Sequence, residues 1–258
     1  MVNELIWVFS DLDDSLITTQ RLRPEKGARV VASDRKGPVA FLTKRQRQFL
    51  KLLIERTTLV PTTARSLQPF LEMKLPKTRY AVTTMGGLVL VNGKPDERWL
   101  DLVRPQARLT SGALRELLAH VEETVAREGI DARARVTVDA GMDMFLSIKH
   151  NARNREELNR LKDVVFTRLP AGFHTHHNGN FVAVMPPWLG KDRAVAWLTA
   201  NVVPAGALTI GLGDSNSDLP FMKLCHFACL PTESQAFSTL TAVTGGSFLE
   251  DRHATVSR

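Results

Sequence analysis

The chain has 258 residues, 43% of them hydrophobic and 24% charged, and carries a formal net charge of +7. That length accommodates one large core or a core with a smaller inserted domain, and the composition is ordinary for a soluble globular protein. No stretch approaches the roughly 18 apolar residues of a membrane span, and residues 1–10 lack the marks of a signal peptide, so a cytoplasmic protein without a membrane partner is expected.

Residues 5–10 form a short apolar run that ends at Asp11, Asp13 and Asp14. A buried parallel strand delivering carboxylates at its C-terminal end has this pattern. Residues 21–38 are rich in Arg, Lys, Gly and Pro and read as a long loop or a small hairpin. The spacing of Phe49, Leu50, Leu52, Leu53 and Ile54 predicts a helix over residues 44–56. Strands are expected over 57–61 and 80–84, and a helix over 66–73. Gly86-Gly87 and Asn92-Gly93 bracket a further hairpin strand at 88–91.

The rhythm then changes. Leu114, Leu117, Leu118, Val121 and Val125 predict a helix over 112–128, and strands at 135–139 and 144–150 flank a turn at Gly141. A second helix is expected over 155–169, with Leu158, Leu161, Val165 and Phe166 on one side. Strands at 173–175 and 180–185 follow, around Asn178-Gly179. Helix, hairpin, helix, hairpin reads as an α+β unit whose sheet is covered by two helices. After Pro186-Pro187 the α/β pattern returns, with helices at 191–200 and 219–224 and strands at 207–211 and 226–230. The expected architecture is an α/β core built from residues 1–94 and 187–258, with residues 95–186 inserted as an α+β cap. Cys225 and Cys229, the only cysteines, are spaced poorly for a metal and are expected to be small core residues. Residues from 251 onward look like a loose tail.

Four motifs carry chemistry. Asp11-Leu12-Asp13 places two carboxylates at the open end of a parallel sheet, where such folds bind ligands. One can attack as a nucleophile while the other moves a proton, although acids after a strand also make ordinary turns. Thr62-Thr63-Ala64-Arg65 follows a strand, where a hydroxyl and backbone N–H groups hold a phosphate oxygen or simply cap a helix. Lys191 opens a helix. Gly213-Asp214-Ser215-Asn216-Ser217-Asp218 closes a strand with two acids four apart, oxygen ligands that suit Mg²⁺.

Together and in this order, the four resemble the haloacid-dehalogenase superfamily: an acidic DxDx[T/S] after the first strand, a Thr or Ser after the second, a Lys, then GDxxxD. Here these are Asp11, Asp13, Thr63, Lys191, Asp214 and Asp218. Insertion of an α+β segment between Thr63 and Lys191 is similar to the subclass IIB caps of Cof-type hydrolases and sucrose-phosphate phosphatases. The resemblance implies a Rossmann-like core and a Mg²⁺ cofactor held by Asp11, the Asp13 carbonyl and Asp214, with Asp218 in support. It implies Asp11 as nucleophile, Asp13 as acid and base, and Thr63 and Lys191 as phosphoryl ligands. Departures are Ser15 where Thr is common, Asp14 where Gly is common, Ala64 where Gly is frequent, and a long segment over 18–43.

The implied function is a phosphatase acting on a small phosphorylated metabolite such as a sugar phosphate, by way of an aspartyl-phosphate. Candidate substrate contacts are Arg65 and, on one cap hairpin, His174, His176, Asn178 and Asn180; the His-x-His-His cluster is also open to zinc or to a plain exposed turn. A phosphomutase on the same scaffold is the rival, and a non-catalytic phosphometabolite-binding or nucleic-acid-binding protein is a second. The basic residues form no block with interleaved aromatics, which argues against a nucleic-acid partner. A monomer or small homo-oligomer is expected. The net positive charge fits a phosphorylated substrate without selecting one.

Overall fold

The computed structural model describes residues 5–22, 24–152, 154–178 and 181–243. Strand β1 (Ile6–Ser10) is buried from Trp7 onward, as a run of Trp, Val and Phe requires. It is followed by β2 (Thr18–Thr19), β3 (Arg29–Asp34) and β4 (Gly37–Leu42), which form a small sheet of their own in the order β2-β4-β3. The polar segment read as loop or hairpin is therefore a hairpin. Helix α1 (Lys44–Arg56) starts on a capping box in which Thr43 and Gln46 satisfy each other's backbone N–H groups. It buries only Leu50 and Leu53, while Phe49 and Leu52 face outward.

Strand β5 (Thr58–Pro61) leads to a short helix, α2 (Leu67–Leu71), and then to the antiparallel trio β6 (Tyr80–Thr83), β7 (Leu88–Val91) and β8 (Lys94–Pro95). Helix α3 (Glu97–Glu128) is 32 residues long. It begins 15 residues before the helix expected from the sequence and runs on through Pro105. Its first half sends Trp99, Leu100 and Val103 into the cluster that holds Trp7, Phe9 and Val60. Its second half packs Leu114, Leu117 and Val121 onto a different sheet.

That second sheet is antiparallel, in the order β11-β12-β10-β9. It is made of β9 (Ala132–Asp139), β10 (Met142–His150), β11 (His174–Asn178) and β12 (Phe181–Met185), with α4 (Arg155–Thr167) between the two hairpins. Leu146, Ile148, Val182 and Val184 point to α3 and α4, where Leu158, Leu161 and Val165 meet them. Phe166 faces outward. Successive strand residues alternate faces, so Ala183, Phe145 and Met185 lie on the opposite side, in the cluster shared with Trp7 and Phe9.

The chain then returns through α5 (Lys191–Asn201), β13 (Leu208–Leu212), α6 (Leu219–Met222), β14 (Phe227–Cys229) and α7 (Gln235–Val243). The sheet β14-β13-β1-β5 is wholly parallel, so one edge collects the C-terminal ends of β1, β5 and β13. Residues from both ends of the sequence build it, and residues 132–185 build the antiparallel sheet. The expectation for the cysteines needs correction. Cys225 is half-buried and Cys229 exposed, because β14 is the edge strand and its three residues all face solvent. Gly179, Asn180 and the tail from residue 251 lie outside the described residues.

Candidate active site

The parallel edge brings the first, third and fourth motifs together. Asp11 leaves β1 with its N–H bonded to the Leu212 carbonyl at 2.8 Å, which ties the end of β1 to the end of β13. Asp11, Asp214 and Asp218 are all buried, and one oxygen of each lies within 4.8 Å of the others. Lys191 enters this group from the first turn of α5, its Nζ donating to Asp11 Oδ1 at 2.6 Å and to Asp218 Oδ1 at 2.7 Å. The other Asp218 oxygen accepts from the Ser215 N–H at 3.1 Å and from Ser215 Oγ at 2.7 Å. Both oxygens of Asp218 are thus engaged in holding the lysine and the loop. Gly213 makes this loop possible, since a Cβ there would lie 2.4 Å from that of Asp218.

Burial pushes the Asp11 carboxyl well above the usual carboxylate range; Lys191 pulls it down, and Asp218 and Asp13 push it up again. Burial alone would lower the Lys191 ammonium, but Asp11 and Asp218 outweigh it and hold the lysine charged, above its ordinary value. Asp218 is likewise raised by burial and lowered further by Lys191, with a net downward shift.

Asp13 stands apart from this trio. Its carboxylate takes two parallel bonds from Arg65, Nε to Oδ2 at 2.7 Å and Nη2 to Oδ1 at 2.5 Å. Arg65 was expected to be a substrate contact; here its guanidinium is committed to Asp13. Asp14 has a φ of 64°, the left-handed conformation that explains a glycine preference at this position. Its carboxylate offsets the strain by accepting from the N–H and Oγ1 of Thr19, each at 2.8 Å. Thr63 is fully buried at the end of β5, with its N–H on the Val82 carbonyl at 2.8 Å and its Oγ1 accepting from the Arg65 N–H at 3.2 Å.

A second set of contacts, built on the Thr84-Met85-Gly86-Gly87 segment, frames the site. Thr84 and Met85 have φ of 53° and 58° and precede Gly86 at 95°. This turn donates from Thr84 N–H to the Arg65 carbonyl at 2.7 Å and from Met85 N–H to the Thr63 carbonyl at 3.2 Å. Gly86 packs so closely that a Cβ would fall 2.1 Å from the Gly190 carbonyl oxygen, next to Lys191. Asp139, at the tip of the β9–β10 hairpin, accepts from Thr84 Oγ1 at 2.5 Å and from the Leu67 N–H at 2.8 Å. It caps α2, whose own N-cap Ser66 makes no side-chain bond.

The hairpin candidates divide by face. His174 pairs with Met185 and His176 with Ala183, so both lie on the side turned away from α3 and α4, while His177 pairs with Val182 on the helix side. Burial lowers the His176 imidazole to about 4; Lys191 lowers it too, and Asp218 opposes. Its charge neighbours are thus groups of the buried cluster. Burial also lowers His174, against Asp192. The three imidazoles do not converge; among the described residues the metal-compatible group is Asp11, Asp214 and Asp218. Asn178 pairs with Phe181 in the strand register, and Asn180 is outside the described residues.

No protein-family model and no curated protein matches the chain. Solved structures do. The sucrose-phosphatase of Synechocystis sp., in complex with sucrose and phosphate, is 15% identical over 95% of this chain and 99% of its own, with a TM-score of 0.53. The C-terminal domain of the C. albicans trehalose-6-phosphate phosphatase is 12% identical over 85% of this chain and 73% of its own, with a TM-score of 0.59. The IMP-nucleotidase of Plasmodium falciparum is 12% identical over 95% and 68%, with a TM-score of 0.56. At these identities the likeness is one of fold. The chain shares their mixed α/β fold, with a parallel sheet whose C-terminal edge gathers Asp11, Lys191 and Asp214.

Proposed function

We propose that the protein is a Mg²⁺-dependent phosphatase that hydrolyses a small sugar phosphate through an aspartyl-phosphate on Asp11, with residues 95–186 serving as its cap. The observation that carries this reading is Lys191 bridging Asp11 and Asp218 inside a buried trio of carboxylates. The trio fits a hard dication, because three buried carboxylates each bring an oxygen within 4.8 Å of the others, the donor type that such an ion takes. Asp11 and Asp214 would supply carboxylate oxygens and Asp13 its backbone carbonyl, with Asp218 orienting the loop. When bound, Mg²⁺ supplies positive charge that offsets repulsion between the attacking carboxylate and the phosphate.

The remaining steps belong to the chain's own residues. Lys191 holds Oδ1 of Asp11, leaving Oδ2 to attack phosphorus. Thr63 and Lys191 stabilise the charge on the transferring phosphoryl oxygens. Asp13 gives its proton to the departing alcohol, then takes one from the water that attacks the aspartyl-phosphate, which releases phosphate and regenerates Asp11. Arg65 positions Asp13 through its two-point pair, and one of the two bonds opens when Asp13 takes up the proton that it gives.

A phosphate-release screen over sugar phosphates, nucleotides and phosphoglycerates, with Mg²⁺ or EDTA, tests the proposal. Release that needs Mg²⁺ and disappears in Asp214→Ala is the expected result. Undiminished turnover after exhaustive EDTA treatment contradicts it, and phosphoryl return to a sugar with little free phosphate points to a mutase.

A further inference from the structure

The side of the antiparallel sheet that faces away from α3 and α4 carries a group of cations that no motif accounts for. Strand register sets them in two rows. Arg133 pairs with Lys149, Lys149 with Phe181, and Phe181 with Asn178. In the adjacent row Arg135 pairs with Ser147, Ser147 with Ala183, and Ala183 with His176. Directly opposed residues share a face, so all three cations lie on the face of His176, whose electrostatic neighbours are Lys191 and Asp218. The same face touches the core at its other end, through Asp139.

These cations are poorly neutralised. Lys149 is half-buried, its Nζ 5.1 Å from the Phe181 ring centroid. Arg133 donates to the Asn151 side chain at 2.6 Å, a neutral acceptor. Among the described residues none of the three forms an ion pair with a carboxylate. Burial depresses the Lys149 ammonium, and Arg133 and Arg135 depress it further. Like charges held together on a partly desolvated face cost free energy that an anion between them would relieve.

We propose that Lys149 and Arg135, with Arg133, bind a second anionic group on the alcohol portion of the substrate, so that the preferred substrate is a sugar phosphate bearing a carboxylate or another phosphate. This rests on the phosphatase reading of the site and narrows its substrate class. The phosphoryl group to be transferred sits at Asp11, the second anion sits under the sheet, and neutral His176 lies between them as a hydrogen-bonding partner for hydroxyls.

Matched pairs of compounds test it. Glucose 6-phosphate and 6-phosphogluconate differ by a carboxylate, and fructose 6-phosphate and fructose 1,6-bisphosphate by a phosphate, so the two pairs distinguish the two anions. The wild-type KM is expected to be lower for at least one charged member by about 10-fold, the value of one charge-assisted contact. Lys149→Met and Arg135→Gln should each collapse that ratio, and Lys162→Met, which removes a charge from α4, should leave it unchanged. Equal KM values within both pairs, or collapse of the ratio by Lys162→Met as well, overturn the proposal. Calorimetric binding of the same pairs to Asp11→Asn keeps the test separate from the reaction. A charged-member preference that Lys149→Met removes supports the anion site even if no ester is hydrolysed; no preference in binding refutes it even if the enzyme is active.

Discussion

The parallel sheet and the antiparallel sheet handle charge in opposite ways. At the parallel edge, Asp11, Asp214, Asp218 and Lys191 are buried, and Lys191 is held against Asp11 and Asp218 at hydrogen-bond distance. On the facing side of the antiparallel sheet, Arg133, Arg135 and Lys149 lie beside one another, more exposed and, among the described residues, without carboxylate partners. A buried, mutually compensating group is rigid and suits a fixed chemical step. An uncompensated and more open group gains most from an incoming ligand. On the proposed function, the two regions separate reaction from recognition.

Substitutions sharpen or break this contrast. Asp13→Asn should lower turnover of alkyl phosphates by about 100- to 10,000-fold, the usual value of general acid–base help. Aryl phosphates, whose leaving groups need less protonation, should lose less in the phosphorylation step. Rates with both ester types check this, and a wild-type rate on sugar phosphates would remove Asp13 from its role. Arg65→Lys replaces a two-point pair by a point charge and should cost about 10-fold, with the same bias against alkyl esters. An equal loss on both ester types would mean that Arg65 does not act through Asp13.

Lys191→Met should destabilise the fold by about 3–5 kcal/mol when measured in chelator, because it strands buried Asp11 and Asp218 without their cation. Urea unfolding gives the value, and a change below about 1 kcal/mol would mean that the cluster is not the compensated group described. A further effect concerns His176. The free imidazole titrates near 6.5 and the folded one near about 4. Between those values the native state binds fewer protons than the unfolded chain, so this group's contribution to stability is present above about 6.5 and is lost as pH falls toward about 4. NMR titration should find its ring neutral at pH 6; a midpoint above 6 would place it outside the partly buried position between the two regions.

Much of this was legible in the sequence because the parallel core obeys local rules. Apolar strands end in Asp11, Thr63 and Asp214, and Lys191 opens a helix, so motif and element coincide. The hairpins of the antiparallel sheet were legible too, since Gly141 and Asn178-Gly179 mark their turns in the sequence. Long-range pairings were not. Nothing in the local sequence tells that Arg65 reaches Asp13, 52 positions away, or that Asp139 caps α2 from 72 positions away. The apolar spacing from Leu114 to Val125 marks only the second half of helix α3, while tertiary packing of Trp99 and Val103 carries its first half through Pro105. The basic face had a usable signal: Arg133 and Arg135 alternate with Ala132, Ala134 and Val136, the period of a strand with one face away from its helices. Only the register reveals that Lys149 joins them.

The central claim is that Asp11 is the atom donor that receives the phosphoryl group. Asp13→Asn keeps that nucleophile but lacks the base for the second half-reaction, so a phosphorylated enzyme should accumulate with an activated aryl phosphate. Rapid-quench labelling of this variant in Mg²⁺, followed by peptide mapping, is the direct measurement. The account predicts stoichiometric label on the peptide containing Asp11, and none when Asp11→Asn is added. Label on any other residue, or persistence of label in the double variant, would contradict it.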